Sequence, residues 1–129
     1  MIQETDPASI PTSLATCRRS PNCVSSQAKV ASQRVAPFQC VDSCGETLRH
    51  LRGILDSTPG VSITVSTDTY LRVEFTSAVF RFKDDLELLA DPNEGVIQVR
   101  SASRVGHFDW GANRRRVEYL RKRLARVLE

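Results

Sequence analysis

The 129-residue chain reads as an α+β protein with two layers: a four-stranded antiparallel sheet with an N-terminal and a C-terminal helix on one face. Three observations predict this. Between Val61 and Arg104, apolar and polar residues alternate at the period of two that half-buried strands require. Two flanking stretches instead space their apolar residues by three and four, the period of a helix face. The strand candidates are joined by connections too short for crossovers, so they must run as an antiparallel meander, which leaves the second sheet face to charged side chains.

Residues 1–16 are rich in Ser, Thr and Pro without periodicity and are expected to form a mobile N-terminal tail. Residues 17–129 are expected to form one domain, a length that buries one moderate core. Within it, residues 17–41 read as loop, with a turn at Ser20-Pro21-Asn22 and Pro37 blocking a helix. The first helix should start at Ser43, whose hydroxyl and Glu46 have the spacing of a capping box, and Pro59-Gly60 should end it. Its apolar face is Cys44, Leu48, Leu51 and Leu55.

Four strands follow. Val61, Ile63 and Val65 share one face of the first; Leu71, Val73 and Phe75 share one face of the second, after a short turn at Thr67-Asp68. Phe80, Phe82, Leu86 and Leu88 are expected on one face of the third, with Arg81, Lys83, Asp85 and Glu87 opposite. Asp91-Pro92-Asn93-Glu94-Gly95 forms a hairpin turn into the fourth, Val96 to Arg104. The last helix should begin near Asp109 as N-cap and bury Val117, Leu120, Leu124 and either Val127 or Leu128.

Composition narrows the class of protein. At 40% hydrophobic and 26% charged it is that of a soluble globular chain. It contains no apolar run near the ~20 residues of a membrane helix. Met1 to Thr16 carry Glu4, Asp6, Pro7 and Pro11 but neither a basic nor an apolar leader region, so a cytoplasmic location is expected. The net charge of +3 is uneven: residues 35–100 hold six basic and ten acidic groups, residues 101–129 eight and three. Such asymmetry implies internal charge pairing first and an external partner second.

Strand parity sorts the polar residues of the expected sheet into two groups. Asp84, Ser101 and Ser103 fall on the apolar face, and Asn113 and Arg116 on the last helix lie four residues before Val117 and Leu120, so they look at the sheet. An inward carboxylate needs a partner, and Arg116 is the natural one. This cluster is either a pocket for a small anion, using Arg116, the serine hydroxyls and a helix N-terminus, or a structural network that fixes the last helix. Asp85 and Glu87 fall on the open face with Arg81, Lys83, Arg100 and Arg104, the pattern of a cross-strand charge ladder; a bulge at Asp84-Asp85 would exchange the two groups. Neither His50 nor His107 has a spacing that ties it to Ser101 or Ser103, so a hydrolase has no identified base.

The last helix carries Arg114, Arg115, Arg116, Arg121, Lys122, Arg123 and Arg126 against one internal acid, Glu118. No aromatic platform accompanies them, so an acidic protein partner is expected before a nucleic acid. Cys17, Cys23, Cys40 and Cys44 read C-x5-C and C-x3-C; zinc sites want C-x2–4-C pairs, which only the second pair meets, and Cys44 already belongs to the apolar helix face, so no metal or other cofactor is expected. Cys17 and Cys23 bracket a turn and could approach for a disulfide, although a reducing cytoplasm keeps thiols free.

From Cys17 onward the sequence resembles the domain-of-unknown-function 1499 family. The stretches that carry the resemblance are Cys17-Arg18-Arg19-Ser20-Pro21-Asn22-Cys23-Val24-Ser25-Ser26, Tyr70-Leu71-Arg72-Val73-Glu74, Phe80-Arg81-Phe82-Lys83-Asp84-Asp85-Leu86-Glu87, and Val99 to Gly106 with Asp109, Gly111, Asn113, Arg116, Val117 and Glu118. The resemblance implies one self-contained assembly of the Ser-Pro-Asn-Cys loop, the Asp-Asp pair and the Arg-Ser-x-Ser-Arg strand. It supplies no reaction, cofactor or catalytic residue. Many relatives carry a preceding signal or membrane segment, and Cys40 and Cys44 lie outside the shared pattern. The expected function is a non-catalytic binding module using Ser25, Ser26, Asp84, Ser101, Ser103, Asn113 and Arg116. The alternatives are a thiol-redox protein using Cys17 and Cys23 and, below it, an unrecognised hydrolase.

Overall fold

A computed structural model describes residues 10–106 and 109–129. Its strands are β1 (Cys23–Ser25), β2 (Phe38–Gln39), β3 (Val61–Ser66), β4 (Tyr70–Thr76), β5 (Lys83–Asp91) and β6 (Val96–Ser103); its α-helices are α1 (Cys44–Asp56) and α2 (Ala112–Val127). A single 3-10 turn, Ala31–Gln33, lies between β1 and β2.

The fold is α+β around an antiparallel sheet, with six strands where four are expected. The meander β3-β4-β5-β6 is present, and β6 is flanked on its other side by β1 and β2. These two strands have only three and two residues, too short for an alternating pattern to show. They exist because β6 offers an unpaired ladder: Val24 pairs with Ser101, and Phe38 with Ile97.

One apolar cluster joins Leu48, Leu51 and Leu55 of α1, Val117, Leu120 and Leu124 of α2, and Leu71, Val73, Leu86, Leu88, Ile97 and Val99 of the sheet. Each fully buried leucine contributes about 2 kcal/mol of apolar burial. Ser43 caps α1 as its sequence implies, accepting from the Glu46 N–H at 3.1 Å. Leu128, rather than Val127, packs on the core beyond α2. The turn after α1 depends on Gly60: its φ is +77°, its carbonyl accepts from Thr76 N–H at 2.9 Å, and an added Cβ would stand 3.0 Å from the Thr76 carbonyl.

Three local expectations fail. Phe80 and Phe82 do not continue the third strand: β4 ends at Thr76 opposite Lys83, so residues 77–82 have no ladder to join. They form a hairpin loop closed by Ser77, whose N–H donates to Phe82 O and whose hydroxyl accepts from Phe82 N–H, both at 2.9 Å. Arg81, at φ +59° in that loop, is therefore absent from the charge ladder. Val65 leaves the face of Ile63 because a bulge between them shifts the register. It packs instead with Leu14, Tyr70 and Leu89, a second, smaller cluster on the charged face. Lastly, α2 is capped by Gly111 rather than Asp109, yet the Asp109 carboxylate still accepts from Gly111 N–H (2.8 Å) and Asn113 N–H (3.1 Å).

Of the expected N-terminal tail, residues 1–9 lie outside the described residues, and Leu14 is buried against Tyr70 and Leu89. No helix among the described residues is long and apolar enough to cross a membrane.

Candidate functional site

The β5–β6 register runs without a break from Asp84↔Ser103 to Asp91↔Val96, so no bulge exchanges the two faces. Asp84, Ser101 and Ser103 therefore share the face of Leu86 and Val99, and Asp85 and Arg100 the opposite one.

Asn113 is the hub of the first group and is fully buried. Its Oδ1 accepts from Ser101 Oγ (2.6 Å) and Arg116 Nη1 (2.7 Å). Its Nδ2 donates to Asp109 Oδ2 (2.7 Å), Ser103 Oγ (2.9 Å) and the Asn22 carbonyl (3.2 Å). Arg116 Nη2 reaches Asp84 Oδ2 at 2.8 Å, and its guanidinium lies 4.4 Å from the centre of the Phe75 ring. Burial alone would raise the Asp109 pKa, but the hydrogen bonds from Asn113 and Gly111 prevail and hold it below the usual carboxylate range. Five of the expected ligand residues thus converge. With Ser101 and Asn113 at 0% exposure and saturated by one another, the centre of the cluster is closed to a ligand. Its geometry is that of a pin between α2, β6 and the loop that carries Asn22.

Ser25 and Ser26 are not part of it. Ser25 is buried opposite Arg100, its hydroxyl accepting from Gln27 N–H at 3.1 Å. Ser26 Oγ accepts from Val99 N–H and donates to Gln98 Oε1, each at 2.8 Å, extending the pairing between β1 and β6.

The charged face carries the expected ladder, with Arg72 in place of Arg81. Arg104 bonds Asp85 (2.8 Å) and Glu74 (2.9 Å), Lys83 bonds Glu74 (2.5 Å), Arg72 lies 3.8 Å from Asp85, and Arg100 lies 3.6 Å from Glu87. Hydrogen bonding to Arg104 holds the Asp85 carboxyl well below its usual range against its burial, and bonds from Lys83 and Arg104 do the same for Glu74. Buried Glu87 accepts from Tyr70 OH at 2.6 Å; burial first, then this carboxylate, pushes the phenol well above its usual value.

Beside this ladder a cleft of about 590 Å³ is lined by Arg18, Arg19, Arg100 and Arg104, with Asp85 as its one lining carboxylate among the described residues. Arg100 Nε is buried with no hydrogen-bond partner. Arg18 and Arg19 are absent from the sequence-derived candidates because no strand or helix period places them; only the β1–β6 pairing at Cys23↔Ala102 brings their loop to this face. The Cys17–Cys23 disulfide closes the same loop, and Cys23 lines the cleft. A second disulfide joins Cys40 and Cys44, a pair that the sequence raises only as zinc ligands; Cys44 still packs on the apolar face of α1.

The basic face of α2 is largely engaged within the chain. Arg114 donates to the Ser32 and Arg34 carbonyls, Arg121 to those of Ala36 and Pro37, Arg115 to that of Trp110, and Arg123 to Tyr119 OH. Together with Arg116, five of its seven cations have internal partners. They pin the 31–38 segment and the end of β6 rather than forming an open basic stripe. Among the described residues no group of His, Cys, Asp and Glu could hold a metal ion.

A family profile described as "Protein of unknown function (DUF1499)" matches residues 13–124. The chain belongs to the DUF1499 family. No curated protein and no solved structure is detectably similar to it. In this DUF1499 domain distant segments of the matched span meet at two places: the Asn113 hub joins Asn22, Ser101, Ser103, Asp109 and Arg116, and the cleft joins Arg18, Arg19, Asp85 and Arg100.

Proposed function

We propose that this domain is a non-catalytic binding module for a small anion, a phosphate or carboxylate, held in the arginine cleft of the charged face. The observation that carries this reading is the charge of the lining: Arg18, Arg19, Arg100 and Arg104 against Asp85 alone, with Arg100 Nε lacking a partner. Guanidinium groups bind planar or tetrahedral oxyanions bidentately; Arg104 is engaged by Asp85 and Glu74 and Arg100 lies beside Glu87, whereas Arg18 and Arg19 have no ion pair among the described residues. The buried Asn113 cluster then has the supporting role of holding the end of β6 beneath the cleft. The same reading takes the fold as two layers with α1 and α2 on one sheet face, supported by the single apolar cluster that contains both helices and the Leu86/Val99 side of the sheet. An acidic segment of a partner protein would use the same cleft, since α2 leaves few free cations.

The test is calorimetric titration with inorganic phosphate and with a short dicarboxylate at low ionic strength. Binding is expected to weaken about tenfold in an Arg18→Ala/Arg19→Ala variant, whose side chains are exposed, with an unchanged melting temperature. Equal affinity of the variant and the parent for both anions would refute the site.

The redox reading has one observation in its favour, the disulfide Cys17–Cys23 next to Arg18 and Arg19, a setting that stabilises a thiolate. Cys23, however, is 4% exposed, which leaves Cys17 as the accessible sulfur. Two disulfides suit an oxidising compartment, whereas the cytoplasm expected from the sequence would hold four thiols. A hydrolase finds no support: His50 hydrogen-bonds no serine among the described residues, and His107 lies outside them.

A further inference from the structure

Nine large hydrophobic side chains are exposed among the described residues, and five of them, Val79, Phe80, Phe82, Val105 and Trp110, belong to two neighbouring segments at one end of the sheet. Trp110 is 79% and Phe80 72% exposed. Contiguous apolar surface of this kind is uncommon on a monomer without a role. The β4–β5 hairpin loop supplies Phe80 and Phe82, whose rings stack with centres 5.6 Å apart. The segment after β6 supplies Val105 and Trp110, and Arg104 N–H to Lys83 O (3.1 Å) ties the two segments together.

Between them is a cavity of about 500 Å³ on the opposite side of β6 from the arginine cleft; Ser103 and Gly106 border both. Its walls are Phe75, Phe80, Phe82, Val105 and Trp110, and its polar lining includes Asp84, Asp109 and Arg116. Volume and chemistry are those of a small-molecule site: mostly apolar and aromatic, with a few polar groups to orient the ligand. A lipid surface would meet the convex loop tips but leave the Asp84–Arg116 pair untouched, so the concavity favours a molecule that enters.

The charge of the lining selects its class. Among the described residues two carboxylates and one guanidinium line the cavity, a net negative lining in a chain of net charge +3. Asp109 gives its oxygens to the α2 N–H groups and the Asn113 amide. Asp84 gives Oδ2 to Arg116, while its Oδ1 accepts from no described residue. Aromatic faces around a carboxylate attract an organic cation, worth about 0.5–2 kcal/mol per well-placed ring.

We propose that this cavity binds a small organic ammonium compound, its apolar body between Phe80, Phe82 and Trp110 and its ammonium at Asp84. The site is independent of the anion cleft, so either can fail without the other.

Trp110 is the sole tryptophan of the chain and sits in the cavity wall, so its fluorescence reports occupancy directly. The full chain is titrated with n-octylamine, n-octanol and octanoate below their micelle concentrations, and with phosphatidylcholine and phosphatidylglycerol vesicles. A saturable blue shift with octylamine is expected, with octanol and octanoate about tenfold weaker. A Phe80→Ser/Phe82→Ser variant, altered only at exposed positions, should lose the response while keeping its melting temperature. Asp84→Asn should erase the preference for amine over alcohol; if it does not fold, the double variant and the three head groups carry the test. Equal response to octanoate, no saturable shift, or a shift with vesicles alone would overturn the proposal, the last in favour of a membrane-facing surface.

Discussion

Asn113 on α2 and Asn22 before β1 are separated by 91 residues, yet the side chain of one donates to the backbone carbonyl of the other at 3.2 Å. Asn22 in turn accepts from Ser103 N–H through the same carbonyl (3.0 Å) and donates through Nδ2 to the Gly106 carbonyl (2.6 Å). Two asparagines thus fasten α2, which joins no ladder, to the end of the β1–β6 pairing. Both asparagines lie within the span that matches the family, and their linkage closes one assembly.

Replacing Asn113 by Ala should therefore be among the costliest single changes in the protein. It leaves the buried Ser101 hydroxyl without its acceptor and removes the amide partner of Arg116, Ser103 and Asp109, a loss of about 3 kcal/mol. Urea denaturation measures it. A loss within about 0.5 kcal/mol of the parent would show that the hub is not structural.

Asp84 and Arg116 should couple. In a double-mutant cycle with alanine at each position, an interaction energy of about 1–3 kcal/mol is expected for a contact of this kind. Additive single effects would mean that Phe75, against which the Arg116 guanidinium rests, supplies the stabilisation instead.

The acidic limb of stability should follow the charged face. Asp85, Glu74 and Asp109 have carboxyl groups held below their usual values in the folded state. Their contribution is complete above the unfolded values of about 4 and is lost as the pH falls through the lower folded ones. The melting temperature should be level from about pH 7 to 5 and drop below about pH 4. An Asp85→Asn variant should start lower and drop less over that acid range. An identical drop in variant and parent would show that the Arg104–Asp85 pair does not drive it.

The two disulfides should be present in protein purified without reductant, each making the intact mass lighter by two hydrogens. Reduction should cost about 2 kcal/mol per bridge for loops this short. Native mass spectrometry of the same sample also reveals any bound small molecule. The fully reduced mass under those conditions would remove both bridges and the redox reading together.

Much of this was legible in the residues. The capping serine of α1, the meander from Val61 to Ser103 and the inward position of Asp84, Ser101, Asn113 and Arg116 all follow from local periodicity, because period and burial are coupled at short range. Phe80 and Phe82 misled for the same reason: Phe80-Arg81-Phe82 has the alternation of a strand, but pairing with β4 stops at Lys83. Nothing local records where a partner strand ends.

The sequence by itself determined the class of fold, the apolar faces of the helices and strands, and the family. The tertiary structure decided the rest: β1 and β2 as edge strands, the bulge that turns Val65 over, the arginine cleft and the aromatic cavity. The physical reason is the range of the interaction. Helix and strand periods arise between residues a few positions apart, whereas Arg18 meets Arg100, and Phe80 meets Trp110, only after the edge of β6 has captured the N-terminal segment and α2 has been pinned by Asn113.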